Sequence, residues 1–299
     1  MTTPTLTARR LLTALLGGGA ILLTACQPGN AADPRPSATV SSATTPSASP
    51  PTRTATSPGL TAQQRLTVLA ETVKSTPADN TSDLPYTYLH LQTWARATNT
   101  IVRTDLQRWR HTADSSGTEI TRRAPDLPGV DHRPTRQERR LFDQATPTTT
   151  HYPAGELHAY LPGAVPTDAA ALAQLLAPPE LADEPAYPRL LASGVVGLAT
   201  SHHLDQQQRA ATLHVLATIP GITYHGTMTD LAGRTGLTFR VEAEGSTSTL
   251  IIDPATGQLL AAHETVAGIK PGLFSYVLIL ARGHTSGDNV TPATTGTIR

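Results

Sequence analysis

The chain has 299 residues, 23 basic against 23 acidic side chains, and an apolar share of 38%. That length allows one or two domains, and the zero net charge gives no electrostatic reason to expect nucleic acid as a partner. Aromatic residues make up only 4%, so a core has to come mainly from Leu, Val, Ile and Ala.

The first element is a short positive region, Arg9-Arg10, followed by an apolar run from Leu11 to Leu23 that contains Gly17, Gly18 and Gly19. A membrane-spanning helix needs about 20 apolar residues, and each glycine costs a helix roughly 1 kcal/mol. The run therefore reads as the apolar region of a cleaved secretion signal, residues 1–25. Arg9-Arg10 resembles a twin-arginine signal, but its flanking residues fit the general secretion route better.

The run ends in Leu23-Thr24-Ala25-Cys26, and Cys26 is the only cysteine in the chain. These four positions resemble the lipobox of bacterial lipoproteins. The resemblance implies that the Cys26 thiolate takes a diacylglycerol group and that the peptidase cuts after the small residue Ala25. Two or three acyl chains hold a protein stably on a membrane where one alone does not. The expected location is the extracytoplasmic face of the cell membrane.

Residues 26–59 carry the lipid site and a stretch rich in Pro, Ser, Thr and Ala. Such a composition cannot bury enough surface to offset the entropy of ordering, so a disordered tether is expected. It would be either a bare spacer or an O-glycosylated one.

A single domain is expected over residues 60–285. Thr61 and Gln64 occupy capping-box positions, and Leu66, Leu69 and Val73 recur at helical spacing, which predicts a helix over 62–75. "PYTYLHLQTWARA", "IVRTDLQRWRHT" and "TEITRRA" predict an antiparallel meander. One of its faces is only weakly apolar, which predicts a solvated face. Residues 125–165 show little pattern, and the charge run Arg136 to Arg140 reads as a solvated helix face or loop.

Three helices follow. The first opens at Thr167 or Asp168 with Leu172, Leu175 and Leu176 inward. The second carries Pro188 in its first turn, with Leu191, Val195 and Leu198 on one side. The third is capped by Asp205, with Leu213, Leu216 and Ala217 inward and Pro220-Gly221 at its end. Five strand-like runs close the domain, separated by "DLAGR", "EG", "PATG" and "AGIKPG". "FSYVLIL" is apolar on both faces, so it should be central or covered twice. Pro254 and Gly257 mark a hairpin turn, with Gly257 at positive φ. Residues 286–299 read as a disordered tail. The total is about eight strands and four helices in an α+β domain.

Several segments carry a family likeness. They are Leu161-Pro162 followed by Pro166-Thr167-Asp168, "QQRAATLHVLATIPGI", "TDLAGRTGL" and "LIIDPATGQLLA". In this order they resemble an uncharacterised family of actinobacterial secreted or membrane-anchored lipoproteins, which implies no particular activity. The architecture is also distantly similar to lipoprotein-carrier half-barrels. That likeness implies a curved antiparallel sheet with helices packed on its concave face, and a cavity there for acyl chains. The candidate lining is Leu89, Leu91, Leu106, Leu237, Phe239, Leu250, Ile252, Leu259 and Val277. The alternative for these nine is a packed core, which large apolar strand residues more often form.

Chemistry-bearing motifs are sparse. "GRTG" lacks the lysine of a nucleotide loop. His202, His203 and His214 are the best metal-like grouping, but no cysteine or acidic ligand sits at a fitting spacing. Glu242 and Glu244 share a strand face, which reads as solvated. "GHTSGD" holds His284, Ser286 and Asp288 next to or within the expected tail. No metal or cofactor is expected. The first functional reading is a non-enzymatic, lipid-anchored protein that binds a hydrophobic or envelope ligand, with the membrane, a lipid or an envelope protein as partner. The alternatives are an envelope sensor or regulator acting by protein contact, and an unrecognised hydrolase.

Overall fold

The computed structural model describes residues 59–77 and 84–292. The expected signal peptide, the lipobox residues Leu23, Thr24 and Ala25 with Cys26, and the tether up to residue 58 lie outside the described residues. The described residues belong to one compact unit. Among them no helix is long and apolar enough to cross a membrane.

The fold is α+β, built on one open antiparallel sheet of nine strands in the order β4-β3-β2-β1-β9-β8-β7-β6-β5. β1 (Tyr86–Ala97), β2 (Thr100–His111) and β3 (Gly117–Pro128) form the expected meander, and β4 (Pro147–Tyr152) extends it. β5 (Thr223–Thr229), β6 (Thr235–Ala243), β7 (Ser246–Ile252), β8 (Leu259–Val266) and β9 (Gly272–Thr285) form a second meander. The two join where β9 pairs antiparallel with β1. The sequence reading lacked β4. Five of its six residues are exposed, so it has no buried alternation, and only its ladder with β3 defines it.

One face of the sheet carries α1 (Ala62–Ser75), α3 (Ala169–Leu176), α4 (Tyr187–Ala199) and α5 (Gln206–Thr218). Local chemistry fixes their starts. Thr61 and Asp205 each complete a capping box with the glutamine three residues on, and Asp168 accepts from the Ala171 N–H. α5 is buried almost all round because it touches α1, α3 and α4 at once. Its Gln206 Nε2 donates to the carbonyls of Val73 and Lys74 in the last turn of α1. The inward residues are those expected, with one correction. Leu175 is 55% exposed, because α3 presents Leu172 and Leu176 to the core and turns Leu175 outward.

The face of the first meander expected to be solvated is covered. Residues 129–146, including a short 3-10 turn and α2 (Arg140–Gln144), lie over it. Trp94 packs edge-on against Phe142 and Tyr276, with ring centroids 5.6 Å apart in each case. Arg103 and Asp105, on that face of β2, are 3% and 4% exposed, while Val102 and Thr104 on the other side are only half-buried. A buried charge is tolerable only where partners compensate for the water it has lost, and both of these charges are paired. Asp105 accepts from His90 Nε2 and Gln92 Nε2, both at 2.9 Å, and its carboxyl is held below the usual range. Burial opposes that shift, and the contacts with His90 and Gln92, together with the charge of Arg122, outweigh it.

The charge run is in part the solvated face or loop expected of it, with Arg136, Gln137 and Arg140 exposed, but Glu138 and Arg139 are half-buried and engaged. Glu138 accepts from Trp94 Nε1 (2.9 Å), Arg103 Nη1 (3.3 Å), His132 Nε2 (3.0 Å) and both the N–H and hydroxyl of Thr135 (3.0 and 2.9 Å). Arg139 donates to Gln92 Oε1 and to the Leu231 carbonyl. These bonds fasten the covering segment to the sheet.

β9 is the fifth of nine strands, with Leu278 in the core on one side and Ile279 in the core on the other. Gly257 takes φ +69° in the β7–β8 turn, as the hairpin reading expects. Within the segment expected to be a tail, Val290 O accepts from Trp109 Nε1 (2.6 Å) and Asp288 Oδ2 from Thr118 Oγ1 (2.7 Å).

Candidate functional site

The nine residues expected to line a cavity lie together on the helix-covered face. Leu89, Leu91, Phe239, Leu250, Ile252 and Leu259 are buried in the cluster that includes α1 and α3 to α5, and Leu106, Leu237 and Val277 pack against it half-buried. Close packing leaves little room between them. The space beside Ile252 and Leu259 measures about 20 Å3 and is bounded also by Val195, Leu204, Arg209 and Arg282, enough for about one water. Burial and the neighbouring Arg209 pull the Arg282 guanidinium down to about 9, and its Nη2 donates to the Leu259 carbonyl at 2.7 Å.

A larger concavity opens at the end of this face. It measures about 770 Å3 and is lined by Arg110, Thr112, Ala113, Ser115, His158, Ala159, Leu161, Pro162, Gly163 and Ala164. Two stretches make it. One is the end of β2 with the β2–β3 turn, and the other is the 153–165 loop.

The loop is fixed at both ends of the groove by backbone hydrogen bonds. On the strand side, the N–H groups of Gly155 and Leu157 donate to the carbonyls of Asp114 and Ser115 at 2.7 and 2.9 Å. On the helix side, the N–H of Tyr160 donates to Ser201 Oγ (2.8 Å) and that of Leu161 to His202 Nε2 (3.1 Å). The groove is thus a pre-formed feature of the fold. Ser115 holds φ +55° at the turn, where Asp114 gathers Ser116 N–H, Ser116 Oγ and His111 Nδ1.

Arg110, in the groove's lining, belongs to a cross-strand row. Arg110 on β2 is opposite Thr87 on β1, which is opposite His284 on β9. His284 packs edge-on against His203, with ring centroids 4.5 Å apart. His202 is 6% exposed, and burial together with the charge of Arg110 lowers it to about 4. It is therefore a neutral imidazole near pH 7, with Nε2 the acceptor and the proton on Nδ1.

The other candidates fall apart in space or are engaged elsewhere. His214 pairs with Glu71 at 3.0 Å on the exposed side of α5, apart from the His202–Leu161 contact. Among the described residues no three or more His, Cys, Asp or Glu side chains form a metal-holding group. Glu242 and Glu244 are exposed. Asp288 and His151 Nδ1 both contact the hydroxyl of Thr118, which is 4% exposed beneath them.

Sequence reasoning found the apolar face because strand alternation carries it. It missed the groove, whose walls come from a turn and from a loop without periodicity. The one local signal is "ADSSG", Ala113 to Gly117, which reads only as a turn.

No protein-family model matches this chain, and no curated protein matches it.

Proposed function

We propose that this protein is an extracytoplasmic, lipid-anchored binding protein. A lipid on Cys26 holds it to the membrane, residues 27–59 set it off the surface, and the groove beside Arg110 takes an amphipathic envelope ligand. One observation carries the reading: a groove of about 770 Å3 with mixed apolar and polar walls, against about 20 Å3 beside Ile252 and Leu259. Small-molecule sites run from roughly 300 to 1,000 Å3, so the first has room for a ligand and the second does not.

We read the sheet as a half-barrel with α1, α3, α4 and α5 on its concave face. In support, five of its strand pairings carry register shifts, between β1 and β9, β2 and β3, β5 and β6, β7 and β8, and β8 and β9. Such irregularities bend and twist strands. The groove then lies where the helix layer stops short of the sheet's end. Leu89, Leu91 and the other seven apolar residues serve as the floor that keeps the helices in place, and the ligand stays outside them.

A second reading, a regulator acting by protein contact, draws on one feature. Ile269, at the tip of the β8–β9 hairpin, is fully exposed, and Phe274 on the same hairpin is 41% exposed. Exposed apolar side chains of this kind mark contact surfaces when they cluster.

Native mass spectrometry tests the first reading. Full-length protein extracted from its own host's membranes in mild detergent is expected to carry one small amphipathic molecule per chain. A spectrum showing only the bare lipidated chain, both as isolated and after incubation with the host's lipid extract, overturns it.

A further inference from the structure

Arg110 sets the chemistry of the groove's ligand. Its neighbours on β2 are engaged: Arg103 donates to the Pro125 carbonyl and to Glu138, and Arg108 Nε to Glu119 Oε1 at 2.6 Å. The Arg110 guanidinium makes no hydrogen bond and no ion pair among the described residues, although it is half-buried in the groove wall. The two acids that follow it along the β2–β3 hairpin, Asp114 and Glu119, are engaged with other groups. Asp114 is held by Ser116 and His111, and Glu119 by Arg108 and the Tyr152 hydroxyl.

A guanidinium has five N–H donors and a fixed positive charge. Removing part of its water without supplying an acceptor is costly. Burial and the like charge of Arg108 act on Arg110 in that direction. The nearby His202 is neutral near pH 7 and adds no second positive charge beside Arg110. The same groove is lined by Ser115 and His158 as further polar residues, and by Leu161, Pro162 and Ala164 as apolar ones.

Resting on the reading of this groove as a ligand site, we propose that its ligand is an amphiphile with a phosphate or carboxylate head, and that Arg110 binds the head through its paired N–H groups. An oxyanion matches the planar donor set of arginine, which grips it at two points, whereas a neutral head leaves the charge uncompensated. The apolar wall takes the chain attached to the head.

Calorimetric titration of the full-length lipidated protein in phosphatidylcholine nanodiscs tests this, with hexyl phosphate, hexan-1-ol and inorganic phosphate as probes. Hexyl phosphate is expected to bind at least about tenfold more tightly than hexan-1-ol, the worth of one charge-assisted contact. Arg110→Gln is expected to remove that advantage, and Arg110→Lys, which keeps the charge without the paired donors, to retain part of it. Inorganic phosphate binding as tightly as hexyl phosphate would keep the oxyanion contact at Arg110 but overturn the amphiphile, since the apolar wall would then add nothing. Because the guanidinium has no partner among the described residues to lose, Arg110→Gln is expected to fold with a Tm equal to or above the wild type, which separates loss of binding from loss of structure. Hexyl phosphate binding equally well to the wild type and to Arg110→Gln overturns the inference and leaves the groove as a site for another ligand. Failure of the wild type to bind either phosphate probe also overturns it, and the native mass spectrum then decides separately whether the groove binds anything.

Discussion

The backbone N–H of Leu161 donates to Nε2 of His202 across 3.1 Å, tying the groove's wall to the end of α4. The bond requires an unprotonated Nε2. His202 titrates at about 4 in the fold, against about 6.5 in an unfolded chain. A histidine with a depressed folded value contributes nothing above pH 6.5, where both states are neutral. Between pH 6.5 and 4 the unfolded state takes up the proton first, so stability falls as the pH falls. His263, also lowered by burial and by Arg240, acts in the same direction. Urea unfolding is expected to show a loss of about 2–3 kcal/mol over this range from His202. His202→Gln, whose amide oxygen can accept the same N–H without titrating, is expected to remove that part of the slope. An unchanged slope in the variant would contradict the assignment.

Glu138 is the acceptor for Trp94, Arg103, His132 and Thr135. Replacing it by Ala leaves Trp94 Nε1 without its acceptor and a 3% exposed arginine without its carboxylate. Loss of one partner of a buried charge pair costs about 3–5 kcal/mol. Glu138→Ala is therefore expected to lower the urea midpoint strongly and to expose Trp94, seen as a red shift in fluorescence. Its carboxyl is held below the usual range by these contacts despite burial. The wild type should accordingly lose this contribution only as the pH falls below the ordinary carboxylate value.

Gly257 combines φ +69° with a crowded surrounding. A Cβ there would stand 2.8 Å from Val73 Cγ2 and 2.9 Å from Leu213 Cδ1. Gly257→Ala adds backbone strain of about 1–2 kcal/mol to overpacking of about 1–3 kcal/mol. Gly268, at φ +104° with nothing within 4 Å, is the control. The alanine variant at 257 is expected to be clearly the less stable of the two in thermal unfolding.

Leu172 and Leu175 lie three residues apart on α3 but on opposite sides of its burial boundary, at 0% and 55% exposure. Leu172→Ala is expected to cost about 2–5 kcal/mol, and Leu175→Ala no more than about 0.5 kcal/mol. Similar losses for both would show that α3 is turned differently.

Cys26→Ser removes the only thiol. Without a thioether to carry acyl chains, the variant is expected to leave the membrane fraction and to take up no labelled palmitate in growing cells. Retention on the membrane at the wild-type level would sink the anchor.

Features that depend on neighbours a few residues away can be read directly along the chain. The capping boxes at Thr61 and Asp205 begin α1 and α5, and Gly257 turns the β7–β8 hairpin, because their partners lie within four residues. Alternation likewise put Leu89, Leu91 and Phe239 on one face and marked β9 as covered on both. Other features exist only once distant segments meet. β1 pairs with β9 across most of the domain, β4 exists as the partner of β3, and residues 129–146 cover a face whose polar side chains predict water. The burial of Arg103 and Asp105, and the lack of a partner for Arg110 among the described residues, are set by which carboxylates and carbonyls the fold brings near each. Arginines on one strand carry the same local signal, and contacts between residues distant in sequence separate the paired ones from Arg110.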